Sequence, residues 1–212
     1  MQKKLFSYNV DISKNAYLNW RTSKEDVAKD LEVLAEGFAT AALLLINKVL
    51  EDNSDKKADI IIFPILYSID QSVEVYLKAI IRMIETLNGG AVNSYTTHDI
   101  QSLLNTTLGM MKKREATTKG LSKHIEPLKK YIDELYALIK VKDQDGKETL
   151  NIDFARYPID TVGEPHFYVK DSKNVVIDVE NLLHRFEEIK DCLSSLCSYY
   201  ENQLEGVCLC QD

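Results

Sequence analysis

Glycine and proline are scarce in this chain, 8 and 4 among 212 residues, where average usage would supply roughly 25 together. Turn-rich all-β folds depend on positive-φ positions and proline breaks, so the shortage disfavours them. Long apolar runs are also missing. The longest are Ile60–Tyr67, interrupted by Pro64, and Ala41–Ile46; both fall short of the roughly 20 residues of a membrane span. The start, MQKKLFSYNV, lacks the apolar stretch of a signal peptide. Basic charge is not in excess: 26 Lys+Arg face 33 Asp+Glu, a formal net charge of −7, which argues against phosphate binding over the whole surface. The 45% apolar content can build a core and disfavours disorder. The four cysteines, Cys192, Cys197, Cys208 and Cys210, crowd into the C-terminal end. Their spacing matches neither the paired C-x2-C of zinc ribbons nor a secreted disulfide framework. Ordinary thiols in a cytoplasmic protein with no membrane attachment are expected.

The familiar catalytic signatures are absent too. There is no Walker loop, GxGxxG, HExxH, repeated Glu-x-x-His or GxSxG, so no standard phosphate cradle, metalloprotease, di-iron or hydrolase site is encoded. Glu180, His184 and Glu187 fall on one helix face, and a solvated cluster is the plain reading. No metal and no other cofactor is expected.

What is present is helical periodicity. Ser23-Lys24-Glu25-Asp26 resembles a helix start, and Val27, Leu31, Leu34, Phe38, Ala41, Leu45 and Val49 follow at steps of four and three. A second stripe runs through Phe63, Leu66, Ile69, Val73, Leu77, Ile80, Ile84 and Leu87, with Pro64 in its first turn and Asn88-Gly89-Gly90 as its stop. A shorter helix follows Thr97 as N-cap, with Leu103, Leu104 and Leu108 inward. A fourth covers about Pro127–Val141, with Leu128, Ile132, Leu135 and Leu138 or Ile139 inward, and Asp143–Gly146 reads as a turn. Phe167–Val169 and Val175–Ile177 suggest a small hairpin. The last helix starts at Asp178 and carries Val179, Leu182, Phe186, Ile189, Leu193, Leu196 and Tyr200. Each helix should show one apolar face to a shared core. The expected architecture is all-α: one domain over 1–212, an antiparallel up-and-down bundle of four to five helices over about 23–205. An N-terminal extension, 1–22, and a small β-hairpin insertion before the last helix complete it.

Charge is uneven along the chain. Lys112–Lys130 holds seven Lys/Arg and two acids, while 178–212 holds eight acids and two bases. The basic stretch could attract phosphates or an acidic partner; a solvated face is the plain alternative. A sparse polar set remains. Glu74 and Lys78 have the spacing of a surface ion pair. His98 and Asp99 sit at the start of the third helix, and Arg156 and Tyr157 precede Pro158 in the irregular segment.

These pieces together resemble the HEPN domain family (higher eukaryotes and prokaryotes nucleotide-binding). Glu74-Val75-Tyr76-Leu77-Lys78-Ala79 is similar to its E-x-x-LKA helix, Thr97-His98-Asp99-Ile100 to its T-H-D-L start, and Ala155-Arg156-Tyr157-Pro158 to its ARYP stretch. The resemblance spans roughly 60–158. It implies a helical bundle, a homodimer and a place in toxin–antitoxin, phage-defence or RNA-processing systems. Many members are metal-independent ribonucleases with an Arg, four to six residues, then a His. No Arg here precedes a His at that spacing; Arg114…His124 and Arg156…His166 each have nine residues between. The leading expectation is therefore a binding module whose cleft, lined by Glu74, Lys78, His98, Asp99, Arg156 and Tyr157, engages a nucleotide, RNA or a partner protein. A ribonuclease built from His98 and Arg156 as catalytic residues, and a purely structural dimerisation protein, are the alternatives.

Overall fold

The computed structural model describes residues 4–22, 25–89, 96–114, 123–142, 148–170 and 172–208. It is mostly helical. The elements are α1 (Val27–Glu51), α2 (Ala58–Leu87), α3 (Ile100–Arg114), α4 (Glu126–Ile139), β1 (Lys140–Lys142), β2 (Glu148–Leu150), α5 (Phe167–Lys170) and α6 (Val179–Cys208). α2 is the central element and packs against α1, α3 and α6, while α4 packs on α6. Ahead of α1 runs an arm with one 3-10 turn, Ile12–Lys14, capped by Asp11. Leu5, Phe6, Val10, Leu18 and Trp20 of this arm are exposed.

Side chains satisfy amides at several helix starts. Asp26 accepts a 2.9 Å hydrogen bond from the Lys29 amide and caps α1; Ser23 and Lys24 of the expected start lie outside the described residues. Asn53 accepts from the Ala58 amide at 2.9 Å, which satisfies one of the free donors at the start of α2. The start lies six residues before Pro64, so Pro64 is inside α2 and not in its first turn. Pro64 is exposed, which leaves the carbonyl that lacks its donor on the solvated side of the helix. Gly89, at φ 62°, follows the last turn, where a residue without Cβ adopts the left-handed conformation at little cost. Asp178 caps α6 through the Asn181 amide at 3.0 Å.

The stripes of α2 and α6 hold in their central parts: Ile69, Val73, Leu77, Ile80 and Ile84, and Phe186, Ile189, Leu193, Leu196 and Tyr200, are all buried. Each large apolar side chain taken from water contributes about 1.5–3 kcal/mol. α2 goes further than one face, because Ile65, Tyr76, Ala79, Ile81 and Met83 are buried as well. α1 departs from expectation in the other direction. Its buried face is Ala28, Ala35, Ala39, Ala42, Ile46 and Val49, while Val27 and Leu34 of the expected stripe are exposed. Small alanines line the middle of this buried face, Leu31, Leu43 and Leu45 pack on its edges, and Leu34 and Leu44 are left on the outward side. By length and composition alone, α1 and α2 would each suffice to cross a membrane. Of their most apolar windows 28% and 44% are buried in this chain. Short uninterrupted runs missed this because single polar residues are spread along both helices.

The hairpin lies elsewhere than expected. β1 and β2 pair antiparallel, Val141 opposite Thr149; the Asp143–Gly146 turn expected between them falls outside the described residues. Phe167–Lys170 forms a helical turn instead of a strand: the amides of Val169 and Lys170 both donate to the His166 carbonyl. Its aromatic rings meet two other elements, Phe167 5.8 Å from Phe154 of the turn before it and Tyr168 5.2 Å from Phe63 of α2. Val175–Ile177 has no strand partner among the described residues and walls an apolar groove with Leu182 and Phe186. Cys192 and Cys197 are free thiols buried in α6. Burial pushes the Cys192 thiol up to about 12.

Candidate functional site

A polar seam runs along α2 at helical spacing: Tyr67, Asp70, Gln71, Glu74 and Lys78. Because α2 is central, this seam faces other elements instead of open solvent. A cavity of about 360 Å³ opens over it, walled by Tyr67, Asp70, Gln71 and Glu74, then by His98, Tyr136, Asp153 and Arg156, with Ile100, Leu135, Ile139 and Phe154 as apolar backing.

Glu74 is the buried anchor. It is 5% exposed, so the plain surface-pair reading of Glu74 and Lys78 does not hold. Its Oε1 accepts from Lys78 Nζ at 2.7 Å and lies 3.0 Å from Nδ1 of His98. The His98 ring itself is exposed, so Glu74 orients an imidazole that solvent and a ligand can reach.

The third helix holds His98 in place through Asp99, not through Thr97. Asp99 Oδ1 accepts from the amides of Gln101 at 3.0 Å and Ser102 at 3.2 Å, the geometry of an N-cap. Thr97 Oγ1 instead accepts from the Asp99 amide at 3.1 Å. The Tyr136 hydroxyl donates a short hydrogen bond to the same Asp99 oxygen and accepts from the Gln101 amide at 3.1 Å. Burial and this acceptor push the Tyr136 hydroxyl well above its ordinary range.

Arg156 arrives from a helical turn fixed by its neighbours. Phe154 and Ala155 are buried, the Arg156 amide donates to the Asp153 carbonyl at 2.8 Å, and the Tyr168 hydroxyl reaches the Phe154 carbonyl at 2.9 Å. The guanidinium pairs with the Asp153 carboxylate, which raises its affinity for the proton. Its Cζ stands 5.9 Å from the centre of the Tyr67 ring and 5.4 Å from that of Tyr157. Arg156 thus stands over two aromatic rings beside the cavity, with its charge paired to Asp153.

Of the six sequence candidates, Glu74, His98 and Arg156 are in the cavity wall. Lys78, Asp99 and Tyr157 are not; each touches a residue that is: Glu74, Tyr136 and Arg156. Sequence reasoning missed Tyr67, Asp70, Gln71, Tyr136 and Asp153. The seam at 67, 70, 71, 74 and 78 was the available signal for the first three. Asp70 accepts from the Tyr131 hydroxyl at 2.6 Å. Burial, and then the charge of Glu74, push its carboxyl up to about 7 against the opposing effect of that hydrogen bond.

Other polar features lie apart. His166 is buried at 1% exposure and stacks on Tyr168, so the histidine following Arg156 in the chain is no part of the wall. His184 Nδ1 lies 3.9 Å from Glu187 on the surface of α6. Among the described residues no group of three or more His, Cys, Asp or Glu side chains could hold a metal. The middle of the basic stretch, 115–122, lies outside the described residues. At its start, Arg114 is tied to Gln203 and Asn88, at 3.0 Å each. Comparison of the chain with protein-family models, curated proteins and solved structures finds no match.

Proposed function

We propose that this chain is a binding module whose cavity over α2 takes a ligand bearing a nucleobase, a nucleotide or a base of single-stranded RNA. The observation that carries the reading is the convergence of Glu74, His98 and Arg156, from three separate segments, on one cavity. Its volume of about 360 Å³ falls in the usual range for small-molecule sites, about 300–1,000 Å³. A planar ligand would stack on the Tyr67–Arg156 surface. The edges of a base would meet Gln71, Asp70 and Glu74, which offer an amide, a carboxyl that titrates near 7 and a carboxylate. Most charges in the wall are already paired, Glu74 with Lys78 and Asp153 with Arg156. A site so balanced favours a ligand of modest charge over a polyphosphate. The HEPN resemblance, with its up-and-down bundle, agrees with this reading. A melting-shift and calorimetric screen of nucleosides, nucleotides and short RNAs tests it. Binding that Arg156→Ala and His98→Ala abolish supports it; no response in the wild-type chain, or equal responses in the variants, defeats it.

A ribonuclease reading is favoured by one observation, the Glu74–His98 contact at 3.0 Å. A carboxylate holding one ring nitrogen of a reachable histidine is the arrangement of a general base. Cleavage of RNA in the presence of a chelator, lost in His98→Ala, would establish it. The purely structural reading requires all four polar residues to be buried in one network. Arg156, with its side chain 46% exposed and paired to Asp153, argues against that.

A further inference from the structure

The outward side of α1 is a second apolar face. Asp30, Leu34, Gly37, Ala41, Leu44 and Lys48 succeed one another at steps of four and three, opposite the buried Ala28, Ala35, Ala39, Ala42, Ile46 and Val49. Leu34 and Leu44 are 51% and 67% exposed. Gly37 is exposed, and nothing lies within 4 Å of the place a Cβ would take. Val33 and Thr40, beside this row, are uncharged as well. A solvated surface helix normally carries its charges on the outward face; here they stand only at the two ends.

The row is also symmetric. Counted from either end toward the level of Ala39, Asp30 mirrors Lys48, Leu34 mirrors Leu44, and Gly37 mirrors Ala41. Two such helices laid antiparallel about a twofold axis at that level bring Leu34 against Leu44, Gly37 against Ala41, and Asp30 against Lys48, at both ends at once. Parallel pairing would set Asp30 on Asp30 and Lys48 on Lys48. Lys48 also bonds Glu51 of its own helix at 2.7 Å, so charge at the two ends favours the antiparallel arrangement through an exposed, shared Lys48, and a twofold contact closes on itself without growing into a filament. The small residues at the centre allow the two backbones to approach to the short end of helix packing distances.

We infer that the outward face of α1 is a docking surface for a second copy of this chain, paired antiparallel through Leu34, Gly37, Ala41 and Leu44 and framed by Asp30–Lys48 pairs. The row is about 27 Å long at 1.5 Å per residue and buries less than the roughly 800 Å² per partner of a standard interface. The dimer is thus reversible and concentration-dependent. The surface is separate from the cavity over α2, and the inference does not depend on the ligand proposed there.

Sedimentation equilibrium of the full chain over a range of concentrations, with circular dichroism of each variant, tests this. Wild type should pass from monomer to dimer. Gly37→Gln should keep or raise helix stability, since it replaces glycine in a helix with open space around it, yet weaken association by about tenfold or more. Asp30→Lys and Lys48→Asp should each weaken it about threefold to tenfold, and the double exchange should restore it. A wild type that is monomeric throughout its soluble range overturns the inference. So does a dimer that Gly37→Gln leaves unchanged, or a double exchange as weak as the single ones. Sedimentation of the wild-type monomer with phosphatidylcholine–phosphatidylglycerol vesicles, lost in Leu44→Glu, would assign the face to a membrane instead.

Discussion

The Tyr131 hydroxyl donates a 2.6 Å hydrogen bond to Asp70, and this contact joins the floor of the polar cavity to the wall of the neighbouring apolar groove. Tyr131 lines the groove and Asp70 the cavity. α2 and α4 are thereby linked at the site itself. Anything that changes the charge of Asp70 acts on both.

Asp70 gives the fold a pH dependence of defined sign. Its carboxyl is raised from the ordinary 3.8 to about 7, first by burial and then by Glu74. Between those values the folded chain holds a proton that the unfolded chain has released. Stability from this group is therefore present at low pH and declines as pH rises through the window, levelling off above about 7. Asp70→Asn removes the titration while keeping an acceptor for Tyr131. The variant should gain on wild type as pH rises from about 5 to about 8, by on the order of 2 kcal/mol. Denaturant unfolding of both proteins at three pH values reads this out. A stability difference that stays constant with pH would refute it.

Glu74 and Lys78 should be coupled well beyond a surface pair. Their side chains are 6% and 16% exposed and 2.7 Å apart. Glu74→Ala leaves the Lys78 ammonium in a half-buried place without its carboxylate, which should cost about 2–3 kcal/mol. Glu74→Met with Lys78→Met removes both charges and should recover much of that loss. A double-mutant cycle from urea unfolding should give a coupling of about 2 kcal/mol, against a few tenths for exposed pairs on a helix. A coupling under about 0.5 kcal/mol would return the pair to the solvated class.

Helix existence was legible in the sequence wherever the buried residues keep to one stripe, as in the central part of α6 from Phe186 to Tyr200. Legibility failed where an element is buried beyond one stripe or depends on a distant residue. α2 is buried on most sides, so its periodicity understated its role and hid the polar seam from Tyr67 to Lys78. Thr97 looked like the cap because it is a good capping residue locally. Asp99 takes the position because Tyr136, from a different helix, holds its carboxylate. Phe167–Val169 has strand composition, yet its rings find Phe154 and Phe63, and tertiary packing overrides local preference. The cavity residues that were found, Glu74, His98 and Arg156, came from short motifs. Asp153, Asp70 and Tyr136 were missed because only the folded chain brings them near.

The two faces of α1 should respond in opposite ways to a change in size. Ala39 is fully buried on the side where α1 meets α2, and Leu44 stands 67% exposed on the other side. Ala39→Leu adds three carbons where α2 already sits, and either the helices separate or the introduced side chain leaves its preferred rotamer. Overpacking of this kind costs about 1–3 kcal/mol, and at the middle of the buried face of α1 the upper end is expected. Leu44→Gln removes apolar surface that this chain does not cover itself, so the isolated monomer should lose less than about 0.5 kcal/mol. Thermal unfolding of both variants at a concentration low enough to keep the chain monomeric separates the two cases. Equal losses would mean that Leu44 belongs to the core and that the two-faced description of α1 is wrong.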